Sequence, residues 1–187
     1  MRYRTNTLRA SGYVLHGISV AQVPMKSNRV REKSGGILSA GLWATLAFVL
    51  NLVWEIAHIR LYTIWFEADR LSAARAVLHC SFGDVAIALA MFTIAGLQLH
   101  RMDWPASQPW AGGITVMIGA LTFTVWSEWF NVFRIGNWSY ASNMPTVFGI
   151  GISPLLQWLV LPPVIVIAYR ALWPYVFSRS NDNSPDR

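Results

Sequence analysis

Charge is what this chain has least of. Only 13% of its 187 residues are Asp, Glu, Lys or Arg, against about 25% in a soluble domain. That deficit leaves too little polar surface to cover a fold that faces water. Cysteine is nearly missing too. Cys80 is the single one, so no internal disulfide forms and the redox compartment stays open. The net charge of +6 comes with no aromatic interleaving and no nucleic-acid motif, so nucleic acid is not expected as a partner. A signal peptide's unbroken apolar core is lacking as well, because residues 13–23 are interrupted by His16, Gly17 and Gln22. No internal repeat occurs.

Long apolar runs are what the chain does have. Hydrophobic residues make up 54%, with 10 Trp gathered near the run ends, as in the aromatic belts of membrane proteins. A span needs about 20 apolar residues, and four stretches qualify: 37–59, 82–99, 113–133 and 154–173. The expected fold is all-α and polytopic: four transmembrane helices, with a short interfacial helix in the charged linker 60–81. Residues 1–36 read as a disordered basic tail, 37–175 as the transmembrane domain and 176–187 as a polar C-terminal tail. Ser153 before Pro154 has the form of a helix N-cap. Ser81 with Asp84 three residues on has the form of a capping box. The Pro162–Pro163 pair predicts a kink in the fourth span.

Seven of the 15 Lys and Arg lie in residues 1–36, against the single acid Glu32. The positive-inside rule then places both termini in the cytoplasm of a bacterial inner membrane. On that topology the polar residues inside the spans fall at the outer end. Asn51, Glu55 and His58 are spaced four and three, hence on one helical face, and Tyr62 extends the stripe. Thr124, Glu128, Asn131 and Arg134 make a second stripe. His79 and Asp84 open the second span, and Gln157 lies in the first turn of the fourth. The loop before the fourth span adds Asn137, Trp138 and Tyr140. Charged groups in a span cost about 2.5–3.5 kcal/mol each on insertion scales, so a cluster of them marks a site.

Three chemistries fit these residue types. A divalent metal is one: Glu55 and His58 form a Glu-x-x-His element of the kind used in di-iron bundles, with His58, His79 and Asp84 as candidate ligands. A second is metal-free acid–base catalysis on a lipid or isoprenoid, with Glu55 and Glu128 as the catalytic pair and aromatic faces to stabilise a carbocation. The third is an outward-facing cup that binds a lipid headgroup, an ion or a partner, with Arg134 as the anion contact. In all three, Asn51, Tyr62, Asn131, Arg134, Asn137, Trp138 and Tyr140 are the candidate substrate contacts. The binding protein is the leading expectation and the membrane enzyme its alternative. Four spans of this size also pair readily, which leaves a homo-oligomer open.

Two resemblances bear on this. Trp138-Ser-Tyr140 followed by Met144-Pro145 resembles the small membrane lycopene cyclases, which implies an isoprenoid substrate. The acidic pair of their Pro-x-Glu-Glu pattern is absent, since Ser153-Pro154-Leu155-Leu156-Gln157 stands in its place. More broadly, Asn51-Leu-Val-Trp-Glu55, Leu61-Tyr62, Gly83-Asp84, Glu128-Trp129 and Asn137-Trp-Ser-Tyr140 with Met144-Pro145 resemble a family of small bacterial inner-membrane proteins without assigned function. That family implies several spans and no particular reaction. Gln stands at the position of His58 in some of its members, which weighs against an obligatory metal ligand there.

Overall fold

The computed structural model describes residues 25–182, with side chains described from 35 to 177. Six helices follow one another: α1 (Met25–His58), α2 (Ile64–Glu67), α3 (Arg70–Gln98), α4 (Trp104–Ser107), α5 (Pro109–Trp129) and α6 (Ile152–Asp182). A 3-10 turn (Ile59–Leu61) ends α1, a π-helical turn (Phe130–Ile135) ends α5, and a two-residue hairpin of β1 (Thr146–Val147) and β2 (Ile150–Gly151) precedes α6. Four segments are long and apolar enough to cross a membrane: Gly35–Leu61, Arg70–Gln98, Pro109–Ile135 and Ile152–Phe177. The fold is all-α, as the apolar runs predict. α1 and α5 each pack against both α3 and α6, so the four long helices form a closed ring.

Local chemistry moves several boundaries away from their expected places. α3 starts at Arg70, because Asp69 caps it: its Oδ1 accepts from the backbone N–H of Leu71 at 2.8 Å and of Ser72 at 3.0 Å. These bonds hold the Asp69 carboxyl below the usual range, the Ser72 N–H contributing most. Ser81 is therefore no cap. It is buried in mid-helix and donates to the carbonyl of Val77 at 2.8 Å. The expected interfacial helix is reduced to the single turn of α2, and residues 70–81 lengthen the second span instead. α6 begins at Ile152, whose N–H donates to Pro145 O at 2.8 Å, so Ser153 is freed from capping. Pro162 and Pro163 lie inside the continuous helix α6. Of the basic tail, residues 1–24 lie outside the described residues and 25–36 belong to α1. The C-terminal tail is helical as far as Asp182, with 183–187 outside the described residues.

The half of the ring nearest the chain termini is filled by aromatic rings. Trp43, Phe92, Trp104 and Tyr169 are fully buried, and Trp43 lies 5.5 Å, 5.1 Å and 6.5 Å from the other three. Their polar atoms are satisfied internally. Trp43 Nε1 donates to Ala88 O and Trp104 Nε1 to Phe92 O, each at 3.1 Å. Ser39 Oγ donates to Met102 O at 2.6 Å and meets Tyr169 Oη at 2.8 Å. Trp104 fits only because Gly112 faces it: a Cβ at that position would fall on the indole ring. At the opposite end, the loop after α5 lies across the end of α1. Thr63 N–H donates to Ser139 O at 3.0 Å and Ala141 N–H to Leu61 O at 2.9 Å.

Candidate functional site

A cavity of about 730 Å³ occupies the half of the ring away from the termini. That is within the usual range for a small-molecule site. Helix α1 brings Glu55 and His58 to it, α3 brings His79 and Asp84, α5 brings Glu128 and α6 brings Gln157; Tyr62, Asn131, Asn137 and Trp138 are also in its polar lining. The rest of the wall is mostly apolar, from Ile59, Val77, Ile87, Phe123 and Trp158 among others.

The two stripes read from helical spacing thus meet at one place, and hydrogen bonds define two separate carboxyl environments there. In the first, Glu55 stands between His58 and Asp84. His58 Nε2 lies 3.2 Å from Glu55 Oε2, and Glu55 and Asp84 line the cavity together. Gln157 steadies the pair from behind: its Nε2 donates to Asp84 Oδ2 at 2.9 Å and to Asn51 Oδ1 at 2.7 Å. Asn51 in turn donates to Ala47 O at 2.7 Å. One amide thereby ties α1, α3 and α6 together.

The second environment surrounds Glu128. Its Oε2 accepts from Tyr140 Oη at 2.6 Å and, at greater length, from Trp138 Nε1 at 3.4 Å. Tyr62 Oη reaches Oε1 at 3.5 Å. Three donors and no acceptor suit a carboxylate. Both tyrosines are kept protonated, and so remain donors. Burial raises the Tyr62 phenol above its ordinary value, with the charge of Glu128 adding to the effect. Burial and the bond to Glu128 do the same for Tyr140. Tyr140 is itself positioned by accepting from the Gly151 N–H at 3.0 Å.

Backbone geometry explains this placement. The π-helical turn widens the last turn of the α5 segment, as such turns often do at functional sites. It ends at Gly136, whose φ of 72° is open to glycine at no steric cost. The N–H groups of Gly136 and Asn137 both close onto Asn131 O, at 2.8 and 3.0 Å. The chain then doubles back and brings Trp138 and Tyr140 over Glu128. The same turn separates Arg134 from Glu128. Arg134 is exposed, with its guanidinium 5.4 Å from the Trp129 ring, and it does not line the cavity. Glu128 and Arg134, placed on one stripe by their spacing, form no ion pair. Successive steps of three hold residues near one face only while the helix stays α, and the wider π turn rotates that match away.

The expected metal ligands do not form a set. Among the described residues no group of three His, Cys, Asp or Glu is arranged to hold a metal ion. His58 has both ring nitrogens engaged, Nε2 by Glu55 and Nδ1 by Ser153 Oγ at 2.9 Å. Asp84 is held by Gln157, and His79 is exposed at the cavity edge. Of the expected substrate contacts, Asn51 and Tyr140 sit behind the lining rather than in it, Asn51 fully buried. Gln157 is expected from the sequence at this end of the bundle but not as a contact, and Ser153 as a cap. An amide in the first turn of an apolar span was a visible signal for Gln157. For Ser153 the capping reading hid its role.

The chain matches no protein-family model, no curated protein and no solved structure. The two resemblances therefore rest on the residues quoted for them.

Proposed function

We propose that this chain is a membrane-embedded enzyme that moves protons on an unsaturated, lipid-soluble substrate of the isoprenoid type. It works in a bacterial inner membrane with both termini in the cytoplasm. One observation carries the reading: carboxyls from three helices share one largely apolar cavity, and one of them, Glu128, is ringed by donors. The Glu55–Asp84 pair is the acid. Glu128, surrounded by donors, is the base.

The reaction class is an isomerisation. The acid gives its proton to one carbon of a double bond, and the electron pair of that bond forms the new C–H bond. The resulting cation lies against the faces of Tyr62, Trp138 and Trp158, which line the cavity and attract positive charge. Glu128 then removes a proton from a neighbouring carbon, and that electron pair restores a double bond or follows ring closure. The substrate gains and loses one proton, so no redox partner is required. Glu128 returns the proton to the acid pair between turnovers. A cup for an anionic headgroup is less well supported, because Arg134, its intended contact, stands outside the cavity.

The test works without the substrate being identified in advance. Purified protein in vesicles of its host's total lipid extract is incubated in deuterated buffer, and the lipids are analysed by mass spectrometry. Proton shuttling leaves deuterium in a lipid even when the product has the mass of the substrate. Wild type is expected to label one lipid class, while Glu55→Gln and Glu128→Gln are expected to lose the label by roughly 100-fold or more. Equal labelling by Glu128→Gln overturns the reading, and so does the absence of any labelled lipid with wild type.

A further inference from the structure

The ring of helices is sealed unevenly. Between α3 and α5 the terminus-side half is tight: Met91 of α3 fills the space a Cβ on Gly119 of α5 would need. Further along the same seam the helices part. His79, Gly83 and Ala86 of α3, spaced four and three and hence on one face, all line the cavity and are all exposed. On the α5 side Phe123 also lines the cavity and is 41% exposed. A Cβ added to Gly83 would meet nothing within 4 Å. Two other seams carry contacts across them in this half. Phe48 and Phe82 pack at 5.2 Å between α1 and α3, and His58 holds Ser153 at 2.9 Å between α1 and α6.

Depth decides what medium the opening meets. Gly83 lies near the middle of the segment Arg70–Gln98. At 1.5 Å per residue that is roughly 20 Å from either end, within a hydrocarbon core about 30 Å thick. An opening at that depth would meet lipid chains.

We propose that the cavity opens sideways into the bilayer between α3 and α5, and that Gly83 is the threshold over which a long hydrocarbon chain slides from the lipid phase to the carboxyls. Gly83 and Ala86 keep the threshold low, and the Phe123 ring is its far side. The inference rests on the reading of the cavity as a site for an apolar substrate, and adds that the substrate is drawn from the membrane without crossing water. It commits to an isoprenoid chain as the occupant, since a chain with double bonds is what the acid and base can act on.

Photo-cross-linking tests it. Full-length protein is reconstituted in phosphatidylethanolamine–phosphatidylglycerol vesicles containing a polyprenyl hydrocarbon that bears a diazirine and an alkyne. Irradiation is followed by peptide mapping. In wild type, cross-links are expected on the cavity faces of α3 around Gly83 and of α5 around Phe123. Gly83→Trp is expected to reduce them at least tenfold, while labelling at Ile118, 58% exposed on α5, stays unchanged and reports a folded protein. Gly83→Ala is expected to label like wild type, and Ala86→Trp blocks the same route should Gly83→Trp not fold. Undiminished cavity labelling in both Trp variants overturns the portal, as does labelling confined to Ile118 in wild type. A second arm uses a diazirine-bearing acyl chain on phosphatidylglycerol. Cavity labelling by that probe alone, abolished by Gly83→Trp, keeps the portal and overturns the isoprenoid reading of the site. Cavity labelling by the polyprenyl probe without deuterium exchange keeps the portal and overturns the catalysis.

Discussion

The two halves of the ring use the same four helices to opposite ends. Near the termini, Trp43, Phe92, Trp104 and Tyr169 fill the space between helices, and Gly112 lets Trp104 press against α5. In the other half, three carboxyls point into a cavity of about 730 Å³, and Gly83 faces open space. Glycine serves close packing in one half and an opening in the other. A bilayer supplies no hydrophobic force between helices, so contact in the first half rests on shape and internal hydrogen bonds. The second half gives up that packing and holds together through Gln157, His58 and the loop over Glu128. Close packing is thus concentrated in one half and the polar cavity in the other.

This division is open to attack from both sides. The largest effect is expected from Gly112→Val, which drives a branched side chain into the Trp104 ring. A loss of about 3 kcal/mol or more, read from thermal unfolding in detergent, is anticipated, with little folded protein recovered. Trp104→Ala leaves a hole in place of a clash and is expected to cost about 3 kcal/mol. If either variant unfolds like wild type, the aromatic half is not the stabilising one. Next comes Tyr140→Phe, which removes the 2.6 Å donor to Glu128. Deuterium exchange into lipid should fall roughly tenfold, equivalent to about 1.4 kcal/mol, with unfolding hardly changed. A large drop in stability instead would make Tyr140 a structural clamp. Asp84→Asn is expected to work in the other direction on stability. Its amide is a donor beside Glu55, so the variant should unfold about 1 kcal/mol later while exchange activity disappears. The smallest effect belongs to Ser153→Ala. It removes one bond to His58 and is expected to shift stability by less than about 1 kcal/mol.

Several features were legible because they follow from composition and spacing. The four apolar runs named the long helices, and spacings of four and three put Asn51, Glu55 and His58 on one face. The π-helical turn was not legible, since no residue pattern in 130–135 distinguishes it from a last α-turn. It decided two outcomes at once: Arg134 left the site, and Trp138 and Tyr140 came over Glu128. The start of α3 was misplaced for a different reason. Ser81 with Asp84 and Asp69 with Ser72 both have the spacing of a cap, and local spacing does not say which one the chain uses. Packing of Ala73 and Val77 against Ile59 favours the earlier start.

What the sequence by itself determined is the class of the protein and the end of the bundle where its polar residues gather. Too few charges exist to face water, and those within the apolar runs recur at helical periods near one end. Those are properties of composition and of a helix's 3.6-residue turn, and neither needs a partner. Which carboxyl meets which was settled only in three dimensions. Glu55 and Asp84 are 29 positions apart in the chain and meet because α1 packs on α3. Glu128 acquires its donors because a glycine with positive φ turns the chain back over it. The seam between α3 and α5 is open or shut according to whether Met91 or nothing faces the opposing helix. Contacts between distant segments depend on how side chains fill space, and no local pattern encodes that.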